Sequence, residues 1–127
     1  MAVVGMLMLY EMHMHTPLCH HAFGEPGEYA AVAESRGLSG IVVTCHNPAP
    51  AGWSPTVRMA DSDWDEYVAL VDEARQEWQG RVDVRLGLES DYTPGHESWL
   101  EALHRRAPLH HVLGSVHCQM TDYLEAY

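Results

Sequence analysis

Basic side chains are scarce: seven arginines and lysines stand against 18 aspartates and glutamates, a formal net charge of −11 over 127 residues. Capture of a nucleic-acid backbone needs a basic surface, so this balance argues against nucleic acid as a partner. It also means that an anionic substrate needs metal ions to attract it. Cysteines are few and odd in number, Cys19, Cys45 and Cys118, which argues against a secreted disulfide framework. The apolar opening stretch, Met1 to Met12, is too short to span a bilayer. It lacks a basic n-region, and no small-residue cleavage site follows it, so it reads as the buried first strand of a cytoplasmic protein. The chain shows no repeat, low-complexity tract or linker. Its length and 46% hydrophobic content suit one globular domain or part of a larger one.

Histidine, by contrast, is in excess, with ten in the chain. His13-Met14-His15 closes the first apolar run, and on a strand the side chains at i and i+2 point the same way, which makes a two-point metal grip. The same grammar recurs. Cys45-His46 closes Ile41 to Thr44, Glu89 closes Val82 to Leu88, and His117 closes Val112 to Val116. Each cysteine lies next to a histidine or one residue from one, which raises soft-metal ligation. Alternation along a strand, however, turns Cys45 and Cys118 away from their histidines.

The pattern predicts strands alternating with helices. Strand one spans about Val3 to Met12, followed by a helix from about Pro26 to Arg36 with Pro26 in its first turn and Gly37 at its stop. Strand two is Gly40 to Thr44, and a Pro/Gly-rich loop runs from Asn47 to Ala60. A second helix starts near Ser62, with Asp65 completing a capping-box variant. Trp64, Tyr67, Val68, Val71 and Trp78 share one face of it, the ordinary signature of burial. Strand three is Val82 to Glu89. A turn at Thr93-Pro94-Gly95 leads to a helix over about Glu97 to Arg105, and strand four is His111 to Val116. This order predicts an α/β fold with a parallel sheet, whose function gathers at the carboxyl ends of the strands. The ligand candidates His13, His15, Glu89 and His117 sit at those ends, and they suit zinc, manganese or iron.

Four segments then carry a family resemblance: Met12-His13-Met14-His15-Thr16-Pro17-Leu18-Cys19-His20-His21-Ala22, Thr44-Cys45-His46-Asn47-Pro48, Gly87-Leu88-Glu89-Ser90-Asp91-Tyr92 and Gly114-Ser115-Val116-His117. Together they resemble the polymerase-and-histidinol-phosphatase (PHP) superfamily, and within it they are most similar to the histidinol-phosphate phosphatases. The resemblance covers essentially the whole chain as one partial PHP domain. It implies the N-terminal half of a distorted (β/α)7 barrel with up to three divalent metals. It further implies that His13 and His15 hold the first metal, that Glu89 bridges first and second, that His117 holds the second, and that His21 and His46 hold the third. The implied reaction is hydrolysis of L-histidinol phosphate to L-histidinol and phosphate in histidine biosynthesis. Glu89 and His117 would act through metals that supply the attacking hydroxide and neutralise the phosphate oxygens.

The chain departs from the family pattern in four ways. Glu11 and Cys45 stand where the family usually has Asp, and His20 stands where relatives often have Gly. The chain also reaches only about halfway along the family's length, with about four of seven strands and without a downstream His and an Asp-X-His motif that would complete the metals. Open sheet edges would then invite a homodimer or pairing with a C-terminal half. The alternative readings are a PHP phosphoesterase of other specificity and an inactive fragment that binds metal or a partner chain.

Arg58, in the long loop, suits a substrate phosphate by its forked donors, although an ordinary loop arginine fits the same position. Asn47 and Asp91 follow ligand positions and either orient ligands or shape turns. His20 reads as a solvated loop residue and His96, His104, His110 and His111 as surface residues. The acidic stretch Asp61 to Glu66 reads as a solvated helix start favoured by the helix dipole.

Overall fold

A computed structural model describes residues 7–117. Its elements are β1 (Tyr10–Glu11), α1 (Pro26–Ser35), β2 (Gly40–Val43), α2 (Trp64–Glu77), β3 (Asp83–Asp91), α3 (Glu97–His104) and β4 (His111–Ser115). The four strands form one sheet in the order β1-β2-β3-β4, every neighbouring pair parallel. Helices between successive parallel strands are the expected way to cross from one strand to the next.

Helix α1 begins at Pro26, whose missing N–H costs nothing in a first turn, and the Glu25 N–H donates to Glu28 Oε2 at 2.7 Å. It ends where Gly37 takes a left-handed φ of 73° and the Leu38 N–H reaches back to the Ala33 carbonyl at 2.9 Å. Helix α2 starts two residues later than its sequence pattern suggests. A 3₁₀ turn over Asp61–Asp63 precedes it, and the Ala60 N–H donates to Asp63 Oδ2 at 3.0 Å. The reciprocal cap therefore belongs to Asp63 rather than Asp65, because Ser62 is already inside the 3₁₀ turn.

Alternation divides each strand between two faces. Ile41, Val43, Cys45, Val84 and Leu88 belong to a core completed by Ala30 and Ala33 of α1 and by Trp64, Tyr67, Val71 and Ala74 of α2. Burying each large apolar side chain stabilises the fold by roughly 1.5–3 kcal/mol. The intervening residues, Thr44 and His46 after β2 and Gly87, Glu89 and Asp91 on β3, take the other face. Tyr67 ties the layers together. Its buried hydroxyl lies 3.0 Å from the Val43 carbonyl and 2.7 Å from the Gly87 carbonyl, and it accepts the Cys45 N–H at 3.3 Å.

Strand β3 serves two partners in turn. Asp83 to Leu86 pair with β2, and Gly87 to Asp91 pair with β4. Strand β4 is thus offset toward the carboxyl end of β3, the kind of shear that a sheet needs in order to curl into a barrel. Gly87 marks the crossing point. A Cβ there would lie 2.8 Å from the His111 carbonyl oxygen and 2.8 Å from Val42 Cγ1. After β2 the pairing with β3 resumes at His46 opposite Glu89.

Strand β1 is shorter than expected. Only Tyr10 and Glu11 meet β2, opposite Gly40 and Ile41, so the ladder does not extend through residues 7–9. Leu7, Met8, Leu9 and Met12 are exposed rather than buried, since β1 is an edge strand among the described residues. Val3 to Met6 lie outside the described residues. No helix among the described residues is long and apolar enough to cross a membrane.

Candidate metal centre

The carboxyl ends of the strands carry the cluster. Beyond β1, the Thr44 N–H donates to the Met14 carbonyl at 2.8 Å and the Met14 N–H donates to Thr44 Oγ1 at 3.1 Å. Met14 is buried in the core, so its neighbours His13 and His15 take the opposite side. Thr16 then caps a 3₁₀ turn, Pro17–Cys19, by accepting the Leu18 N–H on its hydroxyl at 3.3 Å. His20 closes that turn in the left-handed region, φ 65°, a conformation that glycine adopts most readily. The reversal brings His21 back over the strand ends, its ring centroid 5.7 Å from His15 and 4.7 Å from His46. The His20 side chain is exposed.

Glu89 stands at the centre, 3% exposed. Its Oε2 lies 3.1 Å from His13 Nε2, 3.2 Å from His15 Nε2 and 3.6 Å from His46 Nε2. Its Oε1 lies 3.0 Å from His117 Nε2. Burial pushes the Glu89 carboxyl up, but the charge of His46 and contacts from His117 and His13 outweigh it, and the group stays below the ordinary carboxylate value.

Asp91 forms a second hub two residues on. Its Oδ2 takes His46 Nδ1 at 2.9 Å and Arg58 at 2.9 Å, and its Oδ1 takes the Ser115 hydroxyl and lies 3.2 Å from His117 Nε2. The Asp91 N–H donates to Asn47 Oδ1 at 2.8 Å. Burial again acts upward on this carboxyl, and the bonds from His46 and Ser115 with the Arg58 charge bring it below its ordinary value. The contact at Nδ1 places a proton there and leaves His46 Nε2 toward Glu89, the arrangement in which a carboxylate orients a ligating histidine.

On the other side of the centre, the sulfur of Cys19 lies 3.4 Å from His15 Nδ1. Burial acts to lower the His15 pKa, but the bond to Cys19 and its charge raise it on balance. His21 is lowered, first by burial and then by the charge of His46. Cys45 packs into the core as alternation requires, its sulfur 3.1 Å from the donating Thr16 N–H and 3.0 Å from Thr16 Oγ1. Burial raises the Cys45 thiol, and the neighbouring Cys45 sulfur lowers that of Cys19.

The structure therefore brings His13, His15, His21, His46, Glu89 and His117 together at one end of the sheet. Their ligand atoms, with Asp91, fall into three sets, each compact enough to surround one ion: His13, His15 and Glu89; His46, Glu89, Asp91 and His117; His15, His21 and His46. Imidazole nitrogens and two buried carboxylates converging without an equal number of fixed cations are a donor set that suits divalent metal. Asp91 enters as a possible ligand as well as an orienting group. Its i+2 spacing from Glu89 repeats that of His13 and His15 and was the signal for it. Cys19 as a partner of His15 had no such signal, since the contact crosses a turn.

Arg58 is 4% exposed, with NH1 bonded to the Asn47 carbonyl at 3.0 Å as well as to Asp91, and its guanidinium lies 5.3 Å from the Trp53 ring centroid. His96, His104, His110 and His111 stand apart from the cluster. His104 bonds Ser90 at 2.9 Å and His110 bonds Arg85 at 2.7 Å. Cys118 lies outside the described residues.

Known proteins share both sequence and fold. A protein of Deinococcus radiodurans named "Probable histidinol-phosphatase" is 45% identical over 109 residues, 86% of this chain and 42% of that protein. The histidinol-phosphatase of Bacillus subtilis is 33% identical over 86 residues, 63% of this chain and 32% of that protein. The chain thus spans less than half the length of the curated relatives it matches. Histidinol phosphate phosphatase from Lactococcus lactis, solved in complex with zinc, L-histidinol and phosphate, superposes with a TM-score of 0.76 at 21% identity, over 90% of this chain and 41% of that one. That likeness establishes the fold, four parallel strands of a barrel of this type. The PHP domain matches residues 11–127, and the chain belongs to the PHP domain family.

Proposed function

We propose that this chain supplies the metal-gripping part of a phosphomonoester hydrolase of the histidinol-phosphatase type, acting on L-histidinol phosphate to give L-histidinol and phosphate. One observation carries the reading: a single buried carboxylate, Glu89, faces the Nε2 atoms of His13, His15, His46 and His117 within 3.6 Å. The names of the relatives and the ligands of the Lactococcus lactis structure support the substrate.

Up to three divalent ions, zinc, manganese or iron, would be held by His13, His15 and Glu89, by Glu89, Asp91 and His117, and by His21 and His46. Bound there, such ions supply an activated water and Lewis-acid stabilisation of phosphoryl oxygens. The protein's own contribution is position and charge. Glu89 offers one oxygen to each side of the cluster, as a bridging ligand must. Asp91 holds the His46 ring, and Arg58, behind Asp91, offsets its charge. Arg58 lies under the centre with NH1 committed to Asp91 and Asn47, so its role in this reading is to brace Asp91.

The test is metal content by elemental analysis together with histidinol-phosphate turnover, on the parent chain and on Glu89→Gln. The expected result is bound metal in the parent and a loss of more than one equivalent in Glu89→Gln, because one carboxylate serves two sites. A parent that binds no metal refutes the reading, and loss of a single equivalent refutes the bridge. Metal without turnover favours the alternative of a metal-binding fragment.

A further inference from the structure

We propose that Cys19 is the positioning residue of His15: its sulfur accepts the Nδ1 proton of that imidazole and thereby commits Nε2 to the metal-facing side. The proposal rests on the reading of the cluster as a metal centre. An imidazole has two nitrogens, and which one is free to ligate is decided by what the other one meets. For His46 the deciding group is the Asp91 carboxylate, 2.9 Å from Nδ1. For His15 it is a thiol sulfur, 3.4 Å from Nδ1, while Nε2 of the same ring lies 3.2 Å from Glu89 Oε2 and 3.3 Å from His13 Nε2.

The sulfur is itself fixed. Cys19 has no exposed surface, and its Sγ is seated 3.4 Å from the Thr16 carbonyl oxygen. Thr16, fully buried as well, holds Cys45 Sγ with its N–H and hydroxyl. The short turn from His15 to Cys19 thus closes on itself, and the orientation of the His15 ring is set from the core side of the sheet. The same atoms, His15 Nδ1 with the sulfurs of Cys19 and Cys45, are close enough to surround a soft ion. Thr16 already bonds both sulfurs, which favours the hydrogen-bonding role.

The experiment is imidazole ¹H–¹⁵N NMR of the metal-free chain, with zinc titration against a chromophoric chelator, on the parent, Cys19→Ser and Cys19→Ala. His15→Gln assigns the His15 signal. The expected result is a His15 proton on Nδ1 in the parent, retained in Cys19→Ser, and a mixture of tautomers in Cys19→Ala. Zinc affinity should fall by about 10–100-fold in Cys19→Ala and by less in Cys19→Ser. A residue that only filled space would alter stability and leave the tautomer alone. An unchanged tautomer and affinity in Cys19→Ala overturns the proposal. So does a cadmium–thiolate charge-transfer band that disappears in both Cys19→Ala and Cys45→Ala, since the sulfurs would then be ligands. If Cys19→Ala does not fold, the parent spectrum decides, and a proton on Nε2 overturns the proposal. A parent that shows a Cys19-dependent tautomer but binds no zinc would refute the metal centre and leave the positioning role of Cys19 standing.

Discussion

Asp91 shows how much order one side chain imposes here. It joins His46, Arg58, Ser115 and His117 around two oxygens, and its carboxyl is held below the ordinary value. A depressed folded pKa means stability that is present above the unfolded value of about 3.9 and is lost as pH falls through the folded one. The metal-free parent is therefore expected to lose stability on its acid limb below about pH 5. Asp91→Asn should flatten that limb without abolishing it, because Glu89 is depressed too. The same variant should be less stable at neutral pH by about 3–5 kcal/mol, since Arg58 is left buried without its carboxylate. Urea denaturation across the pH range checks both; an acid limb equally steep in Asp91→Asn would assign the effect elsewhere. At this scale the sequence marked Glu89 by its place at the end of an apolar run. It left Asp91 between orienting and turn-forming roles, because a side chain's partners depend on three other segments.

Among the elements, β3 decides how the others meet. Its first half pairs with β2 and its second half with β4, and Gly87 stands where the two ladders meet. The Cβ of an alanine would press on the His111 carbonyl, and backbone cannot yield as a side-chain tip can. Gly87→Ala is expected to destabilise the fold by about 1–3 kcal/mol. It should also weaken metal binding, because β4 carries the approach to His117. A variant of parental urea midpoint and metal affinity would show that the strands slide apart at no cost. Strand and helix positions were legible from alternation and from Pro26 and Gly37. The lengths of the elements were less so. β1 shrank to two residues because an edge strand is only as long as its ladder, and α2 started late because Asp63 rather than Asp65 closes its cap.

At the scale of the whole molecule, the outer strands among the described residues both carry exposed apolar residues: Leu7, Met8, Leu9 and Met12 beside β1, and Val112 and Val116 on and after β4. Unpaired edges flanked by apolar side chains favour association. The chain is expected to elute in size-exclusion chromatography as a dimer or larger species. A stable monomer that binds no apolar dye would overturn edge pairing.

The order of the strands, their parallel sense and the place of His13, His15, Glu89 and His117 at their ends could all be read from the chain, because alternation, capping and strand-ending residues are local and need only near neighbours. The stagger at Gly87, the contact of Cys19 with His15 across a turn and the burial of Arg58 beneath Asp91 came only from the folded chain. So did the choice of which nitrogen meets which oxygen, as in the contacts of Glu89 with His13, 76 residues away, and with His117, 28 residues away. The physical reason is register. Such pairs meet only once the sheet is sheared and packed against α1 and α2, and that packing is a sum over many distant contacts that no local pattern encodes.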